Sequence, residues 1–249
     1  VTETCDADYP HLIVDLAVTG ALDNDSPQLP HIQARLRHRH LLPSEQQVDQ
    51  GYMSGQNLVA SAAQGIRLLG KPLADTRSPA GFRQGDFEID EFKRQAICPH
   101  GHRHVVWRAR QMTMYTQPVI QIRFSALTCR ACPAFGQCTS SQQGRSLTLH
   151  PHRMALEKRR VEARTPEFLE QLHLRAGIEG CISELVRAHH LRRARYRGQK
   201  KTQLQAYFTA VAANLKRLMR WWTTQRPNHP ATTGHWDQPH RFSLSLSYC

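Results

Sequence analysis

Acidic residues are scarce in this sequence, and over one long stretch they are missing. Lys and Arg number 33 against 20 Asp and Glu, a formal charge of +13 over 249 residues. Residues 185–226 carry cations and no acid, whereas most of the acids precede position 100. That balance exceeds what solubility requires and favours a polyanionic partner. No apolar run approaches the roughly 18 residues needed to span a bilayer. The first residues lack the basic-then-apolar pattern of a secretory signal, so an intracellular protein is expected. The paired Cys-x-x-Cys pattern of a zinc ribbon is also lacking. Seven cysteines are present, with Cys5, Cys181 and Cys249 scattered and four clustered from Cys98 to Cys138. An odd count with one cluster, in a reducing compartment, points to metal and away from disulfides.

What is present reads as an α/β protein. Val1 to Cys5 and Leu12 to Val18 are β-rich runs around the turn composition Asp6-Ala7-Asp8-Tyr9-Pro10, which predicts an antiparallel hairpin. Val1 stands directly on a strand, a start within an element that reads as a fragment. Leu29, Ile32, Leu36 and His40 recur at helical spacing over 28–41; a short strand into Val48-Asp49 follows. Ser54 then caps a predicted helix before a strand near Ile66 to Leu69. From about Lys71 to Pro151, Pro, Gly and Gln punctuation and isolated β segments predict an inserted small β domain. Thr165-Pro166-Glu167 opens a helix and Thr202 another, whose stripe Leu204, Tyr207, Phe208, Val211, Leu215, Leu218, Met219 and Trp222 is read as core. The expected organisation is therefore 1–72, an insertion over 73–152, a helical part over 153–222 and a poorly ordered tail over 223–249.

Four features bear chemistry. Glu179 stands between Gly177 and Gly180 within a helical pattern, where glycine costs about 1 kcal/mol; close approach of a backbone or ligand explains this, and a surface salt bridge to Arg175 explains it equally. Asp49 ends a strand and precedes Gln50-Gly51-Tyr52, the place where open α/β sheets build sites and also a common place for a turn or cap residue. The run Arg187, His189, His190, Arg192, Arg193, Arg195, Tyr196, Arg197, Lys200, Lys201 lies between two patterned helices; arginines so held bind successive phosphates and Tyr196 stacks on a base or sugar. Cys98, with Cys129-x-x-Cys132 and Cys138, supplies four thiolates for a structural zinc, with His100 or His102 standing where a second cysteine of the first knuckle would be. The bland reading is four unligated thiols in a loop region.

At these residues the sequence resembles the DDE-type transposases of bacterial insertion sequences, in the branch with a cysteine-containing insertion before the last acid. The resemblance rests on Thr2-Glu3-Thr4-Cys5-Asp6, Val48-Asp49-Gln50-Gly51-Tyr52, Cys98-Pro99 with Gly101, Cys129-Arg130-Ala131-Cys132-Pro133 to Cys138-Thr139, Arg175 to Gly180, and Leu191 to Gly198 with Lys201-Thr202. It implies an RNase H-like mixed sheet flanked by helices, with three carboxylates holding two Mg²⁺ or Mn²⁺ ions. Asp49 matches the second acid and Glu179 the third, with the insertion accounting for their separation. The implied partner is double-stranded DNA, element ends and target, bound by a homodimer in the bacterial cytoplasm at the nucleoid; Arg175 and the basic segment would position it. The family's first acid and its strand lie upstream of what matches here, so the chain is read as a C-terminal portion. Asp15 is the only strand carboxylate nearby, on a different strand by register, and Leu172 stands where related enzymes tend to have Tyr. The alternative class is a zinc-stabilised DNA-binding remnant without catalysis.

Overall fold

The computed structural model describes residues 1–6, 9–74, 78–112, 117–172, 176–225 and 247–248. Two compact units are formed, one by Val1–Pro72 with Lys158–Cys249 and the other by Leu73–Glu157.

The first unit begins with an antiparallel pair, β1 (Thr2–Glu3) and β2 (Ile13–Asp15). Ile13 and Asp15 are buried while Val14 between them is less so, as the two-residue period of a strand requires. α1 (Gln28–His38) buries Leu29, Gln33 and Leu36 and places Arg35, Arg37 and His38 in its last turn, where the helix dipole favours cations. It ends short of the expected 28–41 because His40 takes a left-handed φ of 57°. Asp15, its side chain 2% exposed, is gripped by Arg35 at 2.6 Å and Arg39 at 3.2 Å, which makes it a structural anion.

β3 (Glu45–Gln47), α2 (Gly55–Ala62) and β4 (Arg67–Leu69) come next, with β3 and β4 parallel and Gln46 opposite Leu68. Ser54 caps α2, its Oγ accepting the Asn57 N–H at 3.2 Å. Gly70 is required: a Cβ there would lie 2.7 Å from the Val48 carbonyl oxygen. Polar side chains share the core, since Gln33 Nε2 donates to Gln46 Oε1 at 3.0 Å and to Ser61 Oγ at 2.9 Å, which offsets the cost of burying these groups.

The second unit holds a hairpin of β5 (Glu88–Asp90) and β6 (Gln95–Ile97), and an antiparallel sheet of β7 (His104–Arg110), β8 (Val119–Phe124) and β9 (Ser146–Leu149) with β8 in the centre. α3 (Ala126–Ala131) lies between β8 and β9 in the chain and is capped by Ser125. The core is small: Phe87, Ala96, Ile122, Phe124, Leu147 and Leu149. Arg145 braces it, with its guanidinium 5.6 Å over the Phe87 ring and donating to Ser78 Oγ, the Phe82 carbonyl and the Cys138 carbonyl.

α4 (Arg153–Glu162) spans the boundary in sequence, and the first unit resumes with α5 (Pro166–Leu172), α6 (Ala176–Arg187) and α7 (Gln199–Gln225). Thr165 Oγ1 accepts the Phe168 N–H at 3.3 Å, with Pro166 at the first helical position. Leu172 packs onto the cluster of Leu69, Ala163 and Phe168.

α6 and α7 cover β2, burying Ile13 and Leu16 against Cys181, Leu185, Ala206, Ala210 and Ala213. The small alanines let α7 approach closely enough for its amides to act as a strand partner. Asn214 Oδ1 accepts the Ile13 N–H at 2.8 Å and its Nδ2 donates to the Ile13 carbonyl at 2.9 Å; Gln203 treats Val18 N–H and Leu16 carbonyl the same way, both at 2.7 Å. This corrects the expectation that the large apolar stripe of α7 is core. Leu204, Phe208, Val211, Leu215 and Met219 are exposed, and the buried face is the alanine one. A stripe found by spacing reveals a helix but not which face meets the sheet; here an unpaired strand edge selected amides and alanines. α7 also runs on to Gln225, beyond the expected end at 222, and β10 (Ser247–Tyr248) lies parallel to β3 on the side away from β4. Most of the tail expected over 223–249 falls outside the described residues.

Candidate functional site

Asp49 follows β3 and opens the single turn Gln50–Tyr52; its Oδ1 accepts the Gln50 N–H at 2.6 Å, so the carboxylate serves as a cap while remaining exposed. Tyr52 hydrogen-bonds Asp25, and its phenol is raised above its ordinary value by burial first, then by the negative charges of Asp25 and Asp49. A Cβ at Gly51 would lie 3.1 Å from Asp25 Oδ2, so glycine there leaves room for that carboxylate. Asp25 is the residue that sequence reading passed over. It sits in Asp23-Asn24-Asp25-Ser26-Pro27, a turn composition, and only the fold carries it to the Gln50–Tyr52 turn.

Glu179 lies in the first turn of α6 and is exposed, where an acid also complements the helix dipole. Among the described residues outside its own helix, no heavy atom stands within 4 Å of a Cβ built at Gly180, so the glycine faces open space there. Arg175, the alternative partner of Glu179, lies outside the described residues. Among the described residues, no three His, Cys, Asp or Glu side chains are gathered closely enough to hold an ion.

The acid of α6 that is tightly held is a different one. Arg217 donates to Glu184 Oε2 from Nε at 3.0 Å and Nη2 at 2.9 Å, and from Nη1 to Glu3 Oε2 at 2.9 Å and the His11 carbonyl at 2.7 Å. Glu184 is shifted below its ordinary value, because the Arg217 guanidinium outweighs the opposing effect of partial burial. Burial pushes the Cys181 thiol up to about 11, helped by its hydrogen bond to Glu3. An anion pair clamped this way belongs to the scaffold.

The basic segment is exposed yet pinned. Leu191 packs on the core of the first unit and its N–H donates to the Leu185 carbonyl at 3.0 Å. Further on, Gln205 accepts the Arg195 N–H at 2.9 Å and donates to the Arg193 carbonyl at 2.8 Å. Gly198, at φ 98°, turns the chain into α7, and Thr202 Oγ1 donates to its carbonyl. Arg187, Arg192, Arg193, Arg195, Tyr196, Arg197, Lys200 and Lys201 all face solvent. Arg195, Tyr196, Lys201 and Phe208 line an open groove of about 640 Å³ together with His189, whose Nε2 is buried with no hydrogen-bond partner among the described residues.

In the second unit Cys98, Cys129, Cys132 and Cys138 line one pocket with Phe82, His100 and His102. Cys98 heads a tight turn: the Gly101 N–H reaches its carbonyl at 2.8 Å, Gly101 has φ 79°, and the His102 N–H points to Cys98 Sγ at 3.4 Å. Cys129 and Cys132 stand at the end of α3, and Cys129 Sγ accepts the Arg145 N–H at 3.5 Å. The Cys138 thiol is raised by burial and by the other three cysteines against the lowering effect of Arg145. The four sulfurs thus share a pocket, but as placed they do not form a closed coordination set.

Among known families, the one described as transposase DDE domain matches residues 97–219. Over those residues the chain is similar to the DDE-type transposases. The matched span begins one residue before Cys98 and covers all four clustered cysteines, Glu179, the basic segment and most of α7, while Asp49 precedes it. A search of curated proteins and a search of solved structures each returned no match. Among the described residues no helix is long and apolar enough to cross a membrane.

Proposed function

We propose that this chain contributes to a metal-dependent DNA transposase with an RNase H-like catalytic domain, cutting and joining double-stranded DNA as a homodimer. The observation that carries the reading is the family match across Glu179 and the pinned cationic segment beyond it. Asp49 and Glu179 are both exposed carboxylates, the hard oxygen donors that Mg²⁺ or Mn²⁺ takes, and open space lies beside Glu179 at Gly180. When bound, such ions supply Lewis-acid stabilisation of phosphorus-bound oxygens and lower the pKa of the attacking water or 3′-hydroxyl. The remaining work belongs to the chain. Arg192, Arg193, Arg195, Arg197, Lys200 and Lys201 hold the phosphodiester backbone, and Tyr196 stacks on a base or sugar. Arg175 joins this set by family likeness.

Cys98, Cys129, Cys132 and Cys138 are proposed as a structural zinc site. They are soft sulfur donors in one pocket, two of them accept backbone N–H groups as thiolates do, and the core beneath them is six side chains.

The test is nicking and strand transfer on plasmid DNA with Mg²⁺ or Mn²⁺, comparing the protein with Asp49→Asn and Glu179→Gln. Both variants should lose cleavage and keep DNA binding; cleavage that survives either change removes that residue from the site. A second reading, a zinc-stabilised DNA-binding protein without catalysis, is favoured by the capping role of Asp49 and by the lack of a three-acid group among the described residues. Metal-independent binding with no cleavage under any divalent ion would select it.

A further inference from the structure

β3 carries two consecutive buried glutamines, Gln46 and Gln47, which are 3% and 6% exposed. A strand sends neighbouring side chains to opposite faces, and the contacts of this pair follow that rule. Gln46 Oε1 accepts from Gln33 Nε2 of α1 at 3.0 Å. Gln47 turns the other way, and its Nε2 donates to the main-chain carbonyl of Gln171, in the last turn of α5, at 2.8 Å. On that face Leu69, the β4 neighbour of Gln47, packs with Ala163, Phe168 and Leu172.

The carbonyls of a helix's last turn have no partner within the helix and need a donor from elsewhere. For Gln171 that donor comes from a residue 124 positions away in the chain. A carbonyl only accepts, so the Gln47 amide must present its nitrogen to α5, and its Oε1 is left buried with no hydrogen-bond partner among the described residues. An amide with one end unpaired is a poor choice for packing alone, and what it supplies here is the bond to α5. The position of that bond matters. Asp49 lies two positions beyond Gln47, and Glu179 lies eight beyond Gln171. Apolar contact between β4 and α5 has no preferred direction, whereas a short hydrogen bond fixes both distance and angle.

We infer that Gln47 is a positioning residue, whose hydrogen bond to the Gln171 carbonyl holds the Asp49 and Glu179 carboxylates in one fixed relation. For its purpose this rests on the proposed reading of those two acids as one metal site; the coupling itself does not. Groups that stand behind metal ligands set their orientation, and replacing them typically costs roughly 10–100-fold in metal affinity. Without the Gln47 amide each carboxylate keeps its own element and its exposure, but their separation is free to vary.

Spin labels carried by a non-natural amino acid at the exposed positions 49 and 179 of the whole chain test the coupling without metal or DNA, with their separation read by double electron–electron resonance. One narrow distance distribution is expected in the parent and in Gln46→Leu, and loss of that single peak in Gln47→Leu. The Gln46 change removes a buried amide from the same strand, so a general loosening of the core would act on both variants. Should Gln47→Leu lose its native circular dichroism, Gln47→Met, with the reach of glutamine and no donor, takes its place. A parent without a single peak, a peak that survives the Gln47 change, or one lost equally in both variants overturns the inference. In unlabelled protein, Mn²⁺ affinity followed by the resonance of the free ion should be roughly 10-fold weaker in Gln47→Leu and unaltered in Gln46→Leu. Equal Mn²⁺ affinity in parent and Gln47→Leu overturns the inference as well. A parent that binds no Mn²⁺ sinks the metal reading instead, and the distance measurement then decides the role of Gln47.

Discussion

The two units organise small cores in different ways. In Leu73–Glu157, six apolar side chains lie under one sheet and four cysteines gather at the edge. In the other unit, comparable apolar clusters are laced by satisfied polar groups: Gln33 with Gln46 and Ser61, Asn214 and Gln203 on a strand edge, and Arg217 between Glu3 and Glu184. Under the proposed zinc site the first arrangement depends on a metal that ties the thiols together, and the second depends on no partner being lost. Their responses to perturbation should separate accordingly.

The largest effect is expected from the thiols. Structural zinc contributes about 10–16 kcal/mol to the folding of small domains, so strong chelation or Cys129→Ser should unfold the 73–157 unit. Amide exchange should then rise across β7, β8 and β9 while β2 and α7 stay protected; uniform protection in metal-free protein breaks the contrast. Next comes Arg217→Met, which strands the buried Glu3 and is expected to cost about 3–5 kcal/mol by denaturant titration. Asn214→Leu leaves both Ile13 backbone groups unpaired and should cost roughly 1–3 kcal/mol, with no effect on metal content. The smallest effect is in pH. Glu184 has a folded-state pKa below its unfolded one, so its contribution is present above the ordinary carboxylate range and is lost as the pH falls from about 5 towards 3. Arg217→Met should flatten that acid limb of the stability curve; an unchanged slope would break the assignment.

Legibility followed locality. The Ser54 and Thr165 caps were readable because a cap is made within three residues of itself. The cysteines, Glu179 and the basic run were readable as residue types in order, and the family match covers them. Asp25 was not, because its proximity to Tyr52 exists only after α1 has been crossed. The face of α7 was misread for a similar reason. Hydrophobicity ranked Leu and Trp above Ala, but the strand edge at Ile13 needed amides at short range, and only alanines permit that approach.

By itself the sequence pointed to a polyanionic partner through an acid-free cationic stretch, to a family resemblance through an ordered series of local motifs, and to the clustering of four thiols. These are properties of composition and spacing, which folding cannot alter. Tertiary structure alone decided that Asp15 and Glu184 are neutralised scaffold anions, that Asp49 already caps a turn, and that the largest apolar stripe faces outward. Each of those depends on which groups from distant parts of the chain compete for the same partner, and that competition is settled only when the chain has folded.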